Sequence, residues 1–203
     1  MASARFRLLE RRLHKLRQRF LPAVFSPTGD YADEELDHAR GYRLLAHAEI
    51  EAFIEDRCRE IANATIKTFR VDRRPRTVLL NILSFHPQDP FGRERLKTIY
   101  GSKKSYCEEA LTQANTSYNR VLAKNQGIRE ENVLKMLLPL GLEPTMIDAT
   151  WLNTLDTFGV NRGNTAHTSI GTQQQIDPQD EMKTVEALLQ GLQKLDELMK
   201  KLK

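Results

Sequence analysis

The sequence has few of the residues on which many enzyme and membrane-protein classes depend. It contains only two cysteines, Cys58 and Cys107, and one tryptophan in 203 residues. Two cysteines cannot form the disulfide framework of a small secreted domain or a cysteine-ligated zinc site. No apolar run approaches the ~18 residues of a membrane span, and Asn81 interrupts the longest one. We therefore expect a cytoplasmic protein with no membrane contact.

The signatures of several large enzyme families are also missing. There is no GxxxxGK[ST], GxGxxG, HExxH, GxSxG or CxxC motif, so ATP hydrolysis, dinucleotide chemistry, zinc peptidase and α/β-hydrolase activities have no support. A cluster of acidic residues occupies positions 30–37, but such clusters are typical of a helix N-terminus. We prefer that interpretation to a metal site, and we expect neither a metal nor a cofactor.

The charge that is present is unevenly distributed. Apolar residues make up 40% of the chain and charged residues 29%, the composition of a folded globular protein. Residues 1–20 contain seven basic residues against Glu10, a net charge of +6, whereas the rest of the chain has a net charge of −2. The basicity therefore belongs to the N-terminus.

This N-terminal segment has the pattern of an amphipathic helix. Its apolar residues recur at spacings of three and four between arginines, and prolines at 22 and 27 end the pattern; they are Phe6, Leu9, Leu13, Leu16 and Phe20. Three interpretations remain open: packing on the body of the protein, contact with nucleic acid, and a transit peptide. We predict a basic arm over residues 1–27 and a helical domain over residues 28–203.

The remainder of the chain predicts an all-α fold, a bundle of long antiparallel helices. Gly41 is a candidate kink or break in the first long helix, and Gly159 is expected to end the helix that precedes it. Residues 70–95 break the helical pattern, because their prolines at 75, 87 and 90 exclude a continuous helix. The predicted helices span residues 30–69, 94–125, 129–138, 144–158 and 177–203. The last helix has a heptad stripe, running from Val185 to Leu202, which would pack on the domain's own core or on a second copy.

One segment, residues 159–169, concentrates hydrogen-bonding side chains around Arg162 and His167. Arginine is a permanent planar cation that binds phosphate through two hydrogen bonds. Histidine titrates near neutral pH and can accept or donate a proton. RNA supplies its own nucleophile, the 2′-hydroxyl. The pair is therefore sufficient in principle for RNA cleavage without a metal.

The same segment resembles a known family. Arg162-x4-His167 is similar to the R-x4-6-H signature of the HEPN superfamily, small helical proteins that include many metal-independent endoribonucleases. Residues 42–55 and 161–168 also resemble prokaryotic HEPN proteins found beside toxin and defence genes. Many of those proteins have a polar residue directly after the arginine. Here that position is Gly163, and the nearest polar candidate is Asn164.

The resemblance implies that Arg162 binds the scissile phosphate, that His167 acts as general acid or base, and that Asn164 orients the substrate. It implies a homodimer with two motifs at one cleft, RNA as substrate, and an antitoxin or defence-system protein as a possible partner. Side chains expected to hold the nucleic acid are those of Arg73, Arg74, Arg76 and Asn161.

Two other functions remain open at this stage. The chain would be a catalytically inactive HEPN-like module that binds nucleotides, RNA or protein, or a purely structural helical protein. In a structural role, Arg162 would pair with an acid such as Asp156, and His167 would cap or pack.

Overall fold

The computed structural model describes residues 2–87, 105–167 and 175–202, and only the backbone of residues 166 and 167. These residues form seven α-helices and no strand, which confirms the predicted all-α bundle. The helices are α1 (Ala4–Phe20), α2 (Asp33–Asp72), α3 (Thr77–Phe85), α4 (Tyr106–Ala123), α5 (Glu130–Leu137), α6 (Ala149–His167) and α7 (Pro178–Lys201). Short 3-10 turns occupy Leu138–Leu140 and Pro144–Met146.

Helix α2 is the axis around which the bundle is built. Its 40 residues span roughly 60 Å, and α1, α4, α6 and α7 pack along it. The acidic start acts as expected, since Glu35 accepts a hydrogen bond of 2.9 Å from the backbone N–H of Ala32. The helix is not broken at Gly41, the candidate position for a kink or break. A glycine is present there because it makes room for Phe20, whose ring lies 3.2 Å from where a Cβ would be.

Helix α1 packs antiparallel to α2 and completes the core. Phe6, Leu9, Leu13 and Leu16 are all buried, and Phe6 meets Phe53 edge to face at 6.0 Å. Of the three interpretations of the arm, packing on the body is therefore observed. The division of the chain at residue 27 stays a prediction.

Helix α3 lies within residues 70–95, where no continuous helix was expected; Pro75 and Pro87 leave room for nine helical residues between them. One predicted helix boundary is wrong. Helix α6 does not end at Gly159 but continues to His167. Glycine is present at 159 because the backbone of Arg129 approaches it, at 3.4 Å from an added Cβ. The first part of the predicted helix 94–125 lies outside the described residues, and α4 covers its remainder.

The heptad stripe of α7 is an internal packing surface. Val185, Leu188, Leu192, Leu195 and Met199 are buried in the core of the same chain. The indole of Trp151 on α6 donates a 3.1 Å hydrogen bond to the backbone oxygen of Leu188. In the part of the chain that the structure describes, none of the helices combines the length and the apolarity of a bilayer span.

Candidate functional site

The predicted motif lies on the last two turns of α6, not in a segment between helices. Position 167 follows position 162 by five residues, which on an α-helix is about 7.5 Å along the axis and about 140° around it. The side chain of His167 lies outside the described residues. The described part of the motif is therefore Arg162 and its surroundings.

Arg162 is half-buried and has no carboxylate within ion-pair distance among the residues that the structure describes. The other described arginines that are not fully exposed all form ion pairs: Arg5, Arg40, Arg43, Arg57 and Arg59. Asp156 is not the partner that a structural role would require. Its carboxylate accepts instead from the backbone N–H of Glu130 at 2.9 Å and from Arg129 at 3.4 Å.

Helix α2 presents His47 to the motif. His47 is 1% exposed, stacks on Phe158 of α6 with ring centroids 6.2 Å apart, and its Nδ1 has no hydrogen-bond partner. Burial, and secondarily the positive charge of Arg162, lower the pKa of His47 to about 4. The imidazole is therefore neutral at neutral pH, and the guanidinium of Arg162 lies close enough to affect it.

Glu51, one turn further along α2, carries the negative charge next to the motif. Its carboxylate lies 3.6 Å from His47 Nδ1 and accepts hydrogen bonds from the backbone N–H of Gly127 and the amide of Asn125. Burial raises the pKa of Glu51, while the Gly127 hydrogen bond and the charge of Arg162 oppose that rise. Gly127 has a φ of 114°, a conformation that favours glycine. Glu51 thus fixes the loop after α4 beside Arg162.

Arg43, one turn before His47, joins three helices at the same end of the bundle. Its Nε and Nη2 donate to both carboxylate oxygens of Glu181 on α7, at 3.0 and 2.5 Å. Its Nη1 donates to Thr165 Oγ1 on α6 at 3.0 Å. Thr165 lies between the two motif positions, so this buried ion pair holds the turn of α6 that carries them.

Sequence reasoning did not assign roles to Arg43, His47 and Glu51. The sequence feature that could have identified them is the four-residue spacing of these ionisable side chains. They lie in residues 42–55, which were noted only for their resemblance to other proteins. That spacing places all three on one face of α2. Which helix this face meets is a tertiary property, and it emerges only when α6 is in place.

Of the other predicted site residues, only Asn161 and Asn164 lie near Arg162. Asn161 is half-buried, and its backbone carbonyl oxygen accepts a hydrogen bond of 2.9 Å from Thr165 Oγ1. Asn164 is exposed. Arg73 ends α2 and pairs with Glu108, and Arg76 pairs with Asp72.

The basic loop of Arg73, Arg74 and Arg76 is distant from the motif. Arg73 directly follows the last residue of α2, 22 residues beyond Glu51, or roughly 33 Å along that helix. Arg74 is exposed, and its guanidinium has no ion pair within the described ranges. Within those ranges, no three His, Cys, Asp or Glu side chains are grouped as a metal site.

Comparison with known protein families identifies the family of this chain. A family model described as RiboL-PSP-HEPN matches residues 9–201. Comparisons with curated proteins and with solved structures gave no significant match. The matched range begins within α1 and includes the Arg162-x4-His167 motif and the helix α2 that faces it. The chain therefore belongs to the RiboL-PSP-HEPN family, a family of HEPN domains.

Proposed function

We propose that this protein is a metal-independent endoribonuclease whose site is built on Arg162 and His167. The observation that carries the proposal is the state of Arg162. A half-buried guanidinium without a carboxylate partner in the described part of the chain keeps its donors available to an anion, and phosphate is the anion that fits its planar geometry. Membership of a HEPN family supports RNA as the source of that phosphate.

The proposed reaction is an intramolecular transfer within RNA. The 2′-oxygen attacks the adjacent phosphorus, and the bond from phosphorus to the 5′-oxygen breaks. A base takes the 2′-hydroxyl proton and an acid protonates the leaving 5′-oxygen, which leaves a 2′,3′-cyclic phosphate and a 5′-hydroxyl. His167 serves as base or acid, Arg162 stabilises the charge that develops on phosphorus, and Asn164 orients the substrate.

The reaction needs two proton-transfer groups, and one motif supplies one histidine. His47 is the described histidine beside Arg162, but it is buried and its pKa is lowered to about 4, so it cannot reach a leaving oxygen or hold a proton at neutral pH. A second copy of the chain, with its own His167, would supply the missing group. We therefore infer the homodimer that the HEPN resemblance implies, with both motifs at one cleft.

The proposed biological setting is toxin–antitoxin, phage defence or another RNA-directed stress response, with an antitoxin or defence protein as partner. Arg74 would contact RNA beyond the cleft, because its guanidinium forms no ion pair with a carboxylate in the described part of the chain. Arg73 and Arg76 would have to exchange their carboxylate partners for phosphate, and Asn161 would contact the strand next to Arg162.

The experiment separates catalysis from binding by comparing Arg162→Ala and His167→Ala with the parent protein. We expect both variants to lose cleavage of a defined single-stranded RNA, and only Arg162→Ala to lose affinity as well. Arg120→Ala removes an exposed arginine of α4 and is the matched control. It should keep both RNA cleavage and RNA affinity.

Two outcomes would contradict the proposal. If the parent binds RNA without cleaving it, the chain is a binding module. If the parent neither binds nor cleaves RNA, it is an interaction protein, and its motif serves only the fold.

A further inference from the structure

Helix α1 divides its basic residues between two faces. Arg5, Arg12 and Arg17 flank the buried stripe and pair with acids of the body: Asp56 and Glu60, Glu49, and Glu186, respectively. These three are used in holding α1 in place. Fewer than half of the seven basic residues of α1 therefore form ion pairs with the body of the protein.

The other four basic residues form what we call the outer stripe. Arg7, Arg11, Lys15 and Arg19 recur every four residues, at about 6 Å intervals along the side of α1 that faces away from the core. All four are exposed, and none has a carboxylate within ion-pair distance in the described part of the chain. Arg7 and Arg11 donate only to backbone oxygens, those of Ala2 and Arg7. Their charges are therefore directed at solvent without compensation.

The outer stripe ends at the same end of the bundle as the motif. Phe20, at the end of α1, packs on Gly41. Two residues further along α2, Arg43 hydrogen-bonds Thr165 of α6, between the two motif positions. The opposite end of α2 carries the basic loop of Arg73, Arg74 and Arg76. The outer stripe therefore reaches the end of the bundle that carries the motif, but on another side of α2. The face of α2 with Glu49 and Phe53 meets α1, whereas the face with Arg43 and His47 meets α6.

We infer that the outer stripe binds the phosphate backbone of the RNA strand that is cleaved at Arg162, an inference that rests on the proposed function. Only a strand long enough to pass from one side of the bundle to the other contacts both surfaces. A row of one sign, evenly spaced and uncompensated, matches a polyanion of regular repeat. Backbone binding of this kind carries no sequence information. The stripe therefore sets affinity for long RNA, and the motif sets the chemistry.

The test measures binding of a 20-nucleotide oligouridylate to full-length protein across a range of salt concentrations. A His167→Ala background keeps the RNA intact. The triple variant Arg7→Gln, Arg11→Gln, Lys15→Gln should reduce the slope of log affinity against log salt by about 2, because each cation contributes about 0.7 for a single strand. With His167 restored, the same triple should slow cleavage of the 20-mer and leave cleavage of a dinucleotide unchanged, since a dinucleotide cannot reach the stripe.

The matched control removes the inner set, Arg5→Gln, Arg12→Gln, Arg17→Gln. It should retain the parental salt slope and lose thermal stability. Should that variant fail to fold, a second control neutralises three exposed lysines outside α1, Lys67, Lys124 and Lys194, none of which has an ion pair in the described part of the chain.

The outcomes separate the stripe from the catalytic proposal. A parent that cleaves RNA, with an unchanged slope in the outer triple, overturns the stripe alone. An equal loss in the lysine control overturns it too, because any surface charge would then serve. Stripe-dependent binding of vesicles containing an anionic phospholipid, with no stripe-dependent RNA binding, assigns the surface to a membrane and also overturns the inference. A parent without RNA binding or cleavage contradicts the proposed function itself.

Discussion

Arg43 on α2 and Glu181 on α7 form a bidentate ion pair, with both side chains about 10% exposed, across 138 positions of sequence. Arg43 also donates to Thr165, so the pair fixes the end of α6 that carries the motif. A buried pair of this kind is costly to break, because removing one partner leaves the other charge without compensation.

Glu181→Gln should therefore lower the free energy of unfolding by about 3 kcal/mol or more. Replacing both partners, as in Arg43→Met with Glu181→Leu, should recover most of that loss because no buried charge remains. Urea unfolding of the three proteins measures this difference. A loss below about 1 kcal/mol in the single variant would mean that water reaches the pair and that it does not fix α6.

Substitution of Gly163 tests whether the motif is helical, and substitution of Gly191, on α7, is the comparison. Both lie within helices, but a Cβ at 163 would meet nothing within 4 Å, whereas one at 191 would lie 2.0 Å from Trp151. Gly163→Ala should stabilise the protein by about 0.5–1 kcal/mol. Gly191→Ala should destabilise it by about 1–3 kcal/mol, since Trp151 must move. Thermal unfolding is the measurement. Destabilisation by Gly163→Ala would contradict the continuation of α6 through the motif.

His47 makes stability depend on pH in a definable window. Its pKa is about 4 in the folded protein and about 6.5 when unfolded, so unfolding takes up a proton between these values. The contribution is fully present above pH 6.5 and declines as pH falls towards 4, by about 3 kcal/mol in total.

The His47→Gln variant should not show this part of the decline in the free energy of unfolding at acid pH. Unfolding free energies of both proteins from pH 4 to pH 8, taken as a difference, isolate it from other groups. Glu51 is present in both proteins, and its raised pKa acts in the opposite direction. Parallel curves would show that His47 titrates normally and is not buried against Arg162.

The sequence predicted what depends on periodicity and local chemistry. The apolar spacing of α1, the acidic start of α2 and the Asp177-Pro178 start of α7 each determine their helix through neighbouring residues. Gly41 and Gly159 were misinterpreted because glycine can break a helix or permit close packing, and the distinction depends on Phe20 and Arg129, which are distant in sequence. The motif was found from residue types, but the α2 face opposite Arg162 depends on helix packing.

Cleavage of a defined RNA in EDTA, comparing the parent protein, His167→Ala and His38→Ala at matched purity, is the most direct test of a metal-independent ribonuclease site at Arg162 and His167. His38 is an exposed histidine on α2 and serves as the control. We expect the parent and His38→Ala to leave 2′,3′-cyclic phosphate and 5′-hydroxyl ends, and His167→Ala to leave the RNA intact. Equal cleavage by all three proteins, or none by the parent, would contradict the proposed site.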